Sequence, residues 1–432
     1  MLRSERFRRL FKEGFWIVLG QVMVVLGALV SVRVLTELLS PAAYGELALG
    51  MTLATLVNQT LLGPLSGGLA RFYSPAVEHG DISGYLKAAR KLIYYATGII
   101  ILISILVVLG LKITGLTSWI GIAITAFIFA ILSGYNACLS GIQSAARQRA
   151  VVAMHQGADP ITRLIIAAAM LMWLGATSAA AMLGYSIATL LVLGSQAFFF
   201  RKIIAKQAST VDEGRNWEDE IWKFSLPIGT WGIFTWVQLV SDRWALQLFS
   251  TTEEVGKYAA LYQLGYYPVA LITGMAMQFL VPILYQRAGD ASDSRRQANV
   301  NSLSWKLTWM TIGLTFVVFI GALLLHTQIF WILVAKEYSS VSYLLPWMIF
   351  AGGAFASGQT LAANLMAQMK TREMITAKII TALLGLVFNV LGAYWYGIVG
   401  IVCAGVLFSM AYLTWMIILV KNENESKVLV QF

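Results

Sequence analysis

His155, Asp159 and Arg163 follow one another at intervals of four, inside a stretch that is otherwise largely apolar from 151 to 174. On a helix that spacing stacks all three on one face. The arginine offers a delocalised, permanent cation with two-point geometry for an anionic group. The carboxylate four residues before it can hold that cation or take part in proton coupling, and the histidine can assist near the helix start. The plainer alternative is that Asp159 and Arg163 neutralise one another where helices meet. Pro160 removes a backbone donor directly after Asp159, which frees a carbonyl near Gln156 and predicts a kink.

Other residues could serve the same chemistry. Arg33 with Glu37, and Asp242 with Arg243, sit at similar depths in two separate apolar runs, about 30 Å along their helices. They could form a gate whose charges pair and separate, or they could pair locally and snorkel to headgroups. Arg71 ends an apolar run, where it could meet an anionic group or act as an ordinary basic anchor. Trp231, Trp236, Tyr258, Tyr262 and Tyr266, with Gln263 beside the tyrosines, present aromatic faces with polar edges. Such faces suit sugar rings, and they equally suit packing or an interfacial belt. Of the polar residues Gln21, Asn58, Gln59, Asn136, Gln238, Gln359, Asn364 and Asn389, some must line a wet cavity.

The elements that position these side chains are fixed by composition. Of 432 residues, 58% are hydrophobic and only 12% charged, with a mean hydropathy of +0.73. So few charges cannot cover a water-facing surface, which excludes an ordinary cytosolic enzyme, a disordered chain and a disulfide scaffold. Twelve apolar runs can cross a hydrocarbon core of about 30 Å: roughly 14–38, 45–72, 88–111, 117–141, 151–174, 178–200, 221–249, 256–285, 303–325, 340–368, 375–396 and 398–420. The first is expected to be retained, because no small-residue cleavage site follows it. With alternate loops assigned to the cytoplasm, 25 of the 31 Lys and Arg fall on that side and three on the other. That asymmetry predicts cytoplasmic N- and C-termini, and it reads the net charge of +10 as a topology signal rather than a nucleic-acid footprint. The longest external loop, 326–339, is too short for the acceptor site of a glycosyl polymerase, so no enzyme is expected. No phosphate-binding glycine loop is present, and the cysteines Cys138 and Cys403, without metal-type spacing, read as small core residues.

The two halves repeat. VSVRVLTELLS at 30–40 matches LVSDRWALQLFS at 239–250, with Arg33 over Arg243 and Ser40 over Ser250. Gly45 and Ala48 then match Gly256 and Ala259, KLIYYATG at 91–98 matches KLTWMTIG at 306–313, and the basic turn at Arg147 and Arg149 returns as Lys370 and Arg372. Six helices in each half give parallel repeats, the architecture of a transporter. The expected fold is therefore an all-α integral membrane protein with two six-helix lobes, 1–200 and 221–432, joined by a cytoplasmic linker at 201–220.

The N-terminal FxxGFWIVLGQ segment, the LLSPAAYGELAL turn with its weaker copy at 249–261, and the second helix ending GGLARFYSPA carry a resemblance to a known family. The chain resembles the polysaccharide and O-antigen flippases (Wzx-type) of the multidrug, oligosaccharidyl-lipid and polysaccharide exporter superfamily. Fourteen helices are usual in the related peptidoglycan-precursor flippases, and the multidrug antiporters have twelve but are longer. The resemblance implies two V-arranged lobes around a cavity, and movement of an undecaprenyl-diphosphate-linked oligosaccharide across a bacterial inner membrane without a cofactor. It also implies a polysaccharide polymerase and chain-length proteins as partners. In that setting Arg163 would face the diphosphate or an acidic sugar, Asp159 and His155 would support it, and Arg71 would meet the substrate on entry. Trp231, Trp236, Tyr262 and Tyr266 would contact sugars, and Arg33, Glu37, Asp242 and Arg243 would gate. A multidrug or cation antiporter is the alternative, which would need unpartnered carboxylates within the spans.

Overall fold

In the computed structural model the described residues are 20, 22–204, 215–288, 294–368 and 371–430, and they are almost entirely helical. The FxxGFWIVLGQ motif apart from Gly20, the middle of the expected linker, and Lys370 lie outside them. In chain order the helices are α1 (22–38), α2 (Pro41–Val57), α3 (Gly63–Glu78), α4 (Ile82–Ile113), α5 (Ile120–Ala145), α6 (Arg149–Leu174) and α7 (Ser178–Ile204). Then come α8 (Trp217–Phe249), α9 (Thr252–Ala288), α10 (Ser294–Leu333), α11 (Leu345–Ala367) and α12 (Thr371–Val430). A π-helical turn, Asn58–Leu62, joins α2 to α3 in one span. Gly397, with φ of 54° and ψ of −131°, breaks α12 into two. Wherever their residues are described, the twelve apolar runs read from hydropathy fall on helix in this order.

Seven helical segments among the described residues are long and apolar enough by themselves to cross a membrane. The helices outrun the apolar runs that revealed them, because α-helical hydrogen bonding continues into polar sequence. The expected external loop at 326–339 is helical up to Leu333 and is followed by a 3-10 segment, Lys336–Leu344.

The chain divides into two compact units between Leu239 and Val240, a point that lies inside α8. In the first unit α5 is central and packs on α2, α3, α4 and α7, while α6 packs on α7. In the second unit α11, the repeat counterpart of α5, is central and packs on α9, α10 and α12. Its sequence, LPWMIFAGGAFASGQTLAANLMA, is rich in Gly, Ala and Ser, which lets backbones approach, and nearly every residue is buried. In contrast α4 exposes Leu102, Leu106 and Leu109, and α10 exposes Leu314, Val317 and Leu324. Such surfaces match a hydrocarbon environment.

Because apolar burial gives little net drive between helices in lipid, polar ties between neighbours matter. Asn58 Nδ2 donates to Ser133 Oγ at 3.1 Å and Ser66 Oγ to the Ala137 carbonyl at 2.8 Å, fixing the α2–α3 span to α5. On the other side of α5, Asn136 reaches the Thr189 carbonyl at 3.2 Å, and Gln196 Nε2 donates to Ser140 Oγ at 2.6 Å. In the second unit Asn364 donates to Asn301 at 2.9 Å and Asn389 to Ser241 at 2.9 Å. Asn58, Asn136, Asn364 and Asn389 thus serve as inter-helix ties, each worth about 0.6 kcal/mol. Cys138 is buried as expected, whereas Cys403 is exposed and is not a core residue.

Candidate functional site

Helix α6 runs unbroken through Pro160, with the Gly157 and Pro160 positions set against Met23 and Gly27 of α1. One turn on, Arg163 and Asp159 form a two-point ion pair: Nη2 to Oδ2 at 2.6 Å and Nε to Oδ1 at 3.0 Å. Both side chains keep about a fifth of their surface exposed, 23% and 20%. The guanidinium also lies 4.7 Å from the centroid of the Phe129 ring on α5. A planar cation held by one carboxylate and backed by a ring still presents an N–H edge, since five donors exceed what these contacts use. His155, two turns earlier, is engaged with α7, its Nε2 3.0 Å from Ser195 Oγ and its ring edge-on to Phe199, while Nδ1 lies 2.7 Å from the Val151 carbonyl of its own helix.

The two repeat-related charge pairs differ. Arg33 and Glu37 pair at 2.5 Å on one exposed face of α1, an i,i+4 contact. Asp242 and Arg243 instead sit in a buried network. Tyr258 donates to Asp242 Oδ2 at 2.6 Å, the Arg243 backbone N–H donates to Asp242 Oδ1 at 2.7 Å, and the Arg243 guanidinium lies 4.5 Å from the centroid of the Tyr262 ring. Tyr262 then stacks on Tyr266, with centroids 5.1 Å apart. The spacing of four that aligned Tyr258, Tyr262 and Tyr266 on α9 therefore produces a column ending at the ion pair.

The remaining expected site residues are dispersed. Trp236 Nε1 donates to the Thr52 carbonyl at 2.7 Å and so holds α8 to α2, while Trp231 is exposed beside Phe234. Arg71 is exposed on α3. The first unit also holds an apolar cavity of about 380 Å³ between the π turn, α4 and the start of α8.

Two features escaped the sequence reading. Lys378, near the start of the 375–396 apolar run, is half-buried in the first part of α12 with no carboxylate at ion-pair distance among the described residues. The repeat signals it, because the offset that sets Arg147 on Lys370 and Arg149 on Arg372 also sets His155 on Lys378. The second is a clamp at the start of α8. Trp217, almost wholly buried, donates from Nε1 to Asp81 Oδ2 at 2.7 Å, while Asp81 Oδ1 caps α4 by accepting from the Gly84 N–H at 2.8 Å. Arg215 covers the Trp217 ring and pairs with Glu220.

Residues 10–288 match the model of a family described as polysaccharide biosynthesis protein. The chain belongs to that family. No curated protein matches the sequence. Among solved structures, the lipid II flippase MurJ in an inward closed conformation is similar at TM-score 0.65 and 12% identity, over 95% of this chain and 87% of that one. An inward-facing multidrug resistance MATE family transporter of the MOP superfamily is similar at TM-score 0.64 and 13% identity, over 95% and 96%. A mutant of the Vibrio cholerae MATE transporter VcmN is similar at TM-score 0.61 and 15% identity, over 98% of each chain. At such identities the likeness establishes the fold: this member of the polysaccharide biosynthesis family is an all-α membrane protein with the architecture of those transporters, two six-helix lobes related by an internal repeat.

Proposed function

We propose that the protein is a flippase that moves an undecaprenyl-diphosphate-linked oligosaccharide, the repeat unit of an O-antigen, capsule or exopolysaccharide, across a bacterial inner membrane by alternating access. Membership of a polysaccharide-biosynthesis family on a transporter fold carries this reading. Both termini are cytoplasmic in this reading, transport needs no cofactor or catalytic residue, and a polymerase with its chain-length proteins uses the delivered unit. Arg163 takes the diphosphate or an acidic sugar through its free N–H edge, Asp159 fixes its orientation, and His155 steadies the α6–α7 contact below them. Arg71 meets the headgroup on entry. Tyr262 and Tyr266 serve sugar contacts better than Trp231 and Trp236, since Trp236 has its indole N–H committed to Thr52. Arg33 with Glu37 and Asp242 with Arg243 act as gate charges.

The antiporter alternative needs carboxylates open to a cation. Asp159 is engaged by Arg163, and Asp242 by Tyr258 and Arg243, which supports the flippase reading.

The test is deletion of the gene in its bacterial host, complemented with wild type or Arg163→Ala. Expected is accumulation of the lipid-linked precursor in the cytoplasmic leaflet, relieved by wild type and not by well-expressed Arg163→Ala. Loss of one charge-assisted hydrogen-bonding group should slow transport by about tenfold or more. Normal surface polysaccharide in the deletion strain, together with new drug sensitivity, would overturn the flippase in favour of the antiporter.

A further inference from the structure

Between α9 and α11 the second unit holds a cavity of about 200 Å³ lined by Tyr266, Thr273, Gly274, Met277, Phe355 and Gln359, among others. That is several times the roughly 30 Å³ of a water and below the ~300 Å³ at which drug-sized pockets begin. It is room for a single ring.

Its walls are held from behind. Tyr266 is backed by the stacked Tyr262 ring at 5.1 Å, and Phe355 by Phe408 at 5.6 Å and Tyr412 at 5.0 Å. The Tyr266 and Phe355 rings face each other loosely, with centroids 6.4 Å apart and planes tilted by 35°. Two polar groups meet the space. The Gln359 amide has no hydrogen-bond partner among the described residues. The Thr273 hydroxyl donates to the Val269 carbonyl at 2.7 Å, leaving its lone pairs to accept. One turn before Tyr266 on α9, Gln263 Oε1 is buried without a partner. At Gly274 an added Cβ would meet nothing within 4 Å, so the backbone opens directly on the cavity.

The lining selects among ligands. A phosphate would find no cation among the lining residues, and a prenyl chain would leave the Gln359 amide unpaired, at a cost of about 1–3 kcal/mol. A pyranose satisfies both requirements, with C–H faces for the aromatic walls and hydroxyl edges for the amide and the hydroxyl. We propose that this α9–α11 cavity is a subsite for one sugar ring of the transported oligosaccharide, a proposal that rests on the flippase reading. It places sugar recognition within the second unit, apart from the Arg163 cation of the first.

The test uses the full chain in lipid nanodiscs, probed with a panel of methyl hexosides and N-acetylhexosaminides by saturation-transfer NMR. Two variants accompany it. Gly274→Phe fills the open space, and Gln359→Leu removes the amide while nearly keeping its volume, which separates lost binding from lost folding. Expected is transfer to at least one glycoside with wild type, reduced about tenfold in both variants, and precursor accumulation in cells carrying either one. Absence of transfer to any glycoside, transfer unchanged in Gly274→Phe, or normal surface polysaccharide with both variants would overturn the subsite and leave the flippase reading standing. A deletion strain without precursor accumulation would overturn the flippase reading and the subsite with it.

Discussion

Arg163 and Asp159 make a pair whose two readings, neutralisation and substrate contact, separate in a double substitution. Removing Arg163 alone strands a carboxylate in a poorly solvated place, which is strongly destabilising, by about 3–5 kcal/mol for a fully buried pair and less at the partial exposure seen here. Asp159→Asn combined with Arg163→Gln removes both charges. The double variant should recover most of the thermal stability lost in Arg163→Ala, measured by melting in detergent. Its transport should stay as low as that of Arg163→Ala, because the cation is still missing. Recovery of transport would show the pair to be purely structural. At this scale the sequence was most informative where a charge stood alone among apolar neighbours. The four-residue spacing on α6 placed Asp159 and Arg163 together, and the spacing on α9 aligned the three tyrosines. Lys378 was hidden because hydropathy averages over a window, and a lysine near the end of an apolar run counts as its flank. Gln359 stood among the polar residues expected to include cavity-lining ones, but neither its choice from that set nor Phe355 was legible, because the cavity they line depends on how α9 meets α11 and no local pattern encodes that contact.

The π turn at Asn58–Leu62 shows how one missing donor shapes an element. Pro64 cannot donate to the turn before it, and the ladder slips so that the Gly63 N–H bonds back to the Asn58 carbonyl. The bulged carbonyls face α8, where a Cβ at Gly232 would lie 1.9 Å from the Gln59 oxygen. Only a glycine permits that approach. Gly232→Val should force the two helices apart and lower the melting temperature by several degrees, while Gly194→Val, at a position with open space, should change it by much less. The clamp at the start of α8 gives a companion prediction. Asp81→Ala removes both the cap of α4 and the acceptor of the buried Trp217 indole, so about 2–3 kcal/mol of stability should be lost. Asp81→Asn keeps one acceptor, enough for the α4 cap, but turns an amide N–H toward the buried indole N–H, so it should lose less than Asp81→Ala, about 1–2 kcal/mol. Unfolding of purified protein monitored by Trp fluorescence measures both. Among the described residues hydropathy placed its runs on helix but misjudged where helices stop, since α10 continues for 40 residues through sequence that a window reads as loop.

For the whole molecule, the internal repeat carries through to backbone detail. Gly175, between α6 and α7, and Gly397, inside α12, both adopt positive φ, 99° and 54°, at corresponding turns of the two halves. The 3-10 segments Thr117–Trp119 and Lys336–Leu344 both lead into the central helices α5 and α11. The charge asymmetry of the loops predicts that a green fluorescent protein fused after Phe432 will fluoresce and that alkaline phosphatase fused there will be inactive. The opposite pair of results would reverse the topology. Gly397 bears on how that topology arises. The two spans of α12 meet through this single residue, and the backbones of Gly392 and Gly400 are in contact across the turn. A connection so short ties the two spans antiparallel at this turn, so during synthesis they are expected to insert together as a hairpin. Replacing Lys421 and Lys427 with neutral residues should therefore leave the C-terminus on its original side, its position being set by the partner helix rather than by its own charges.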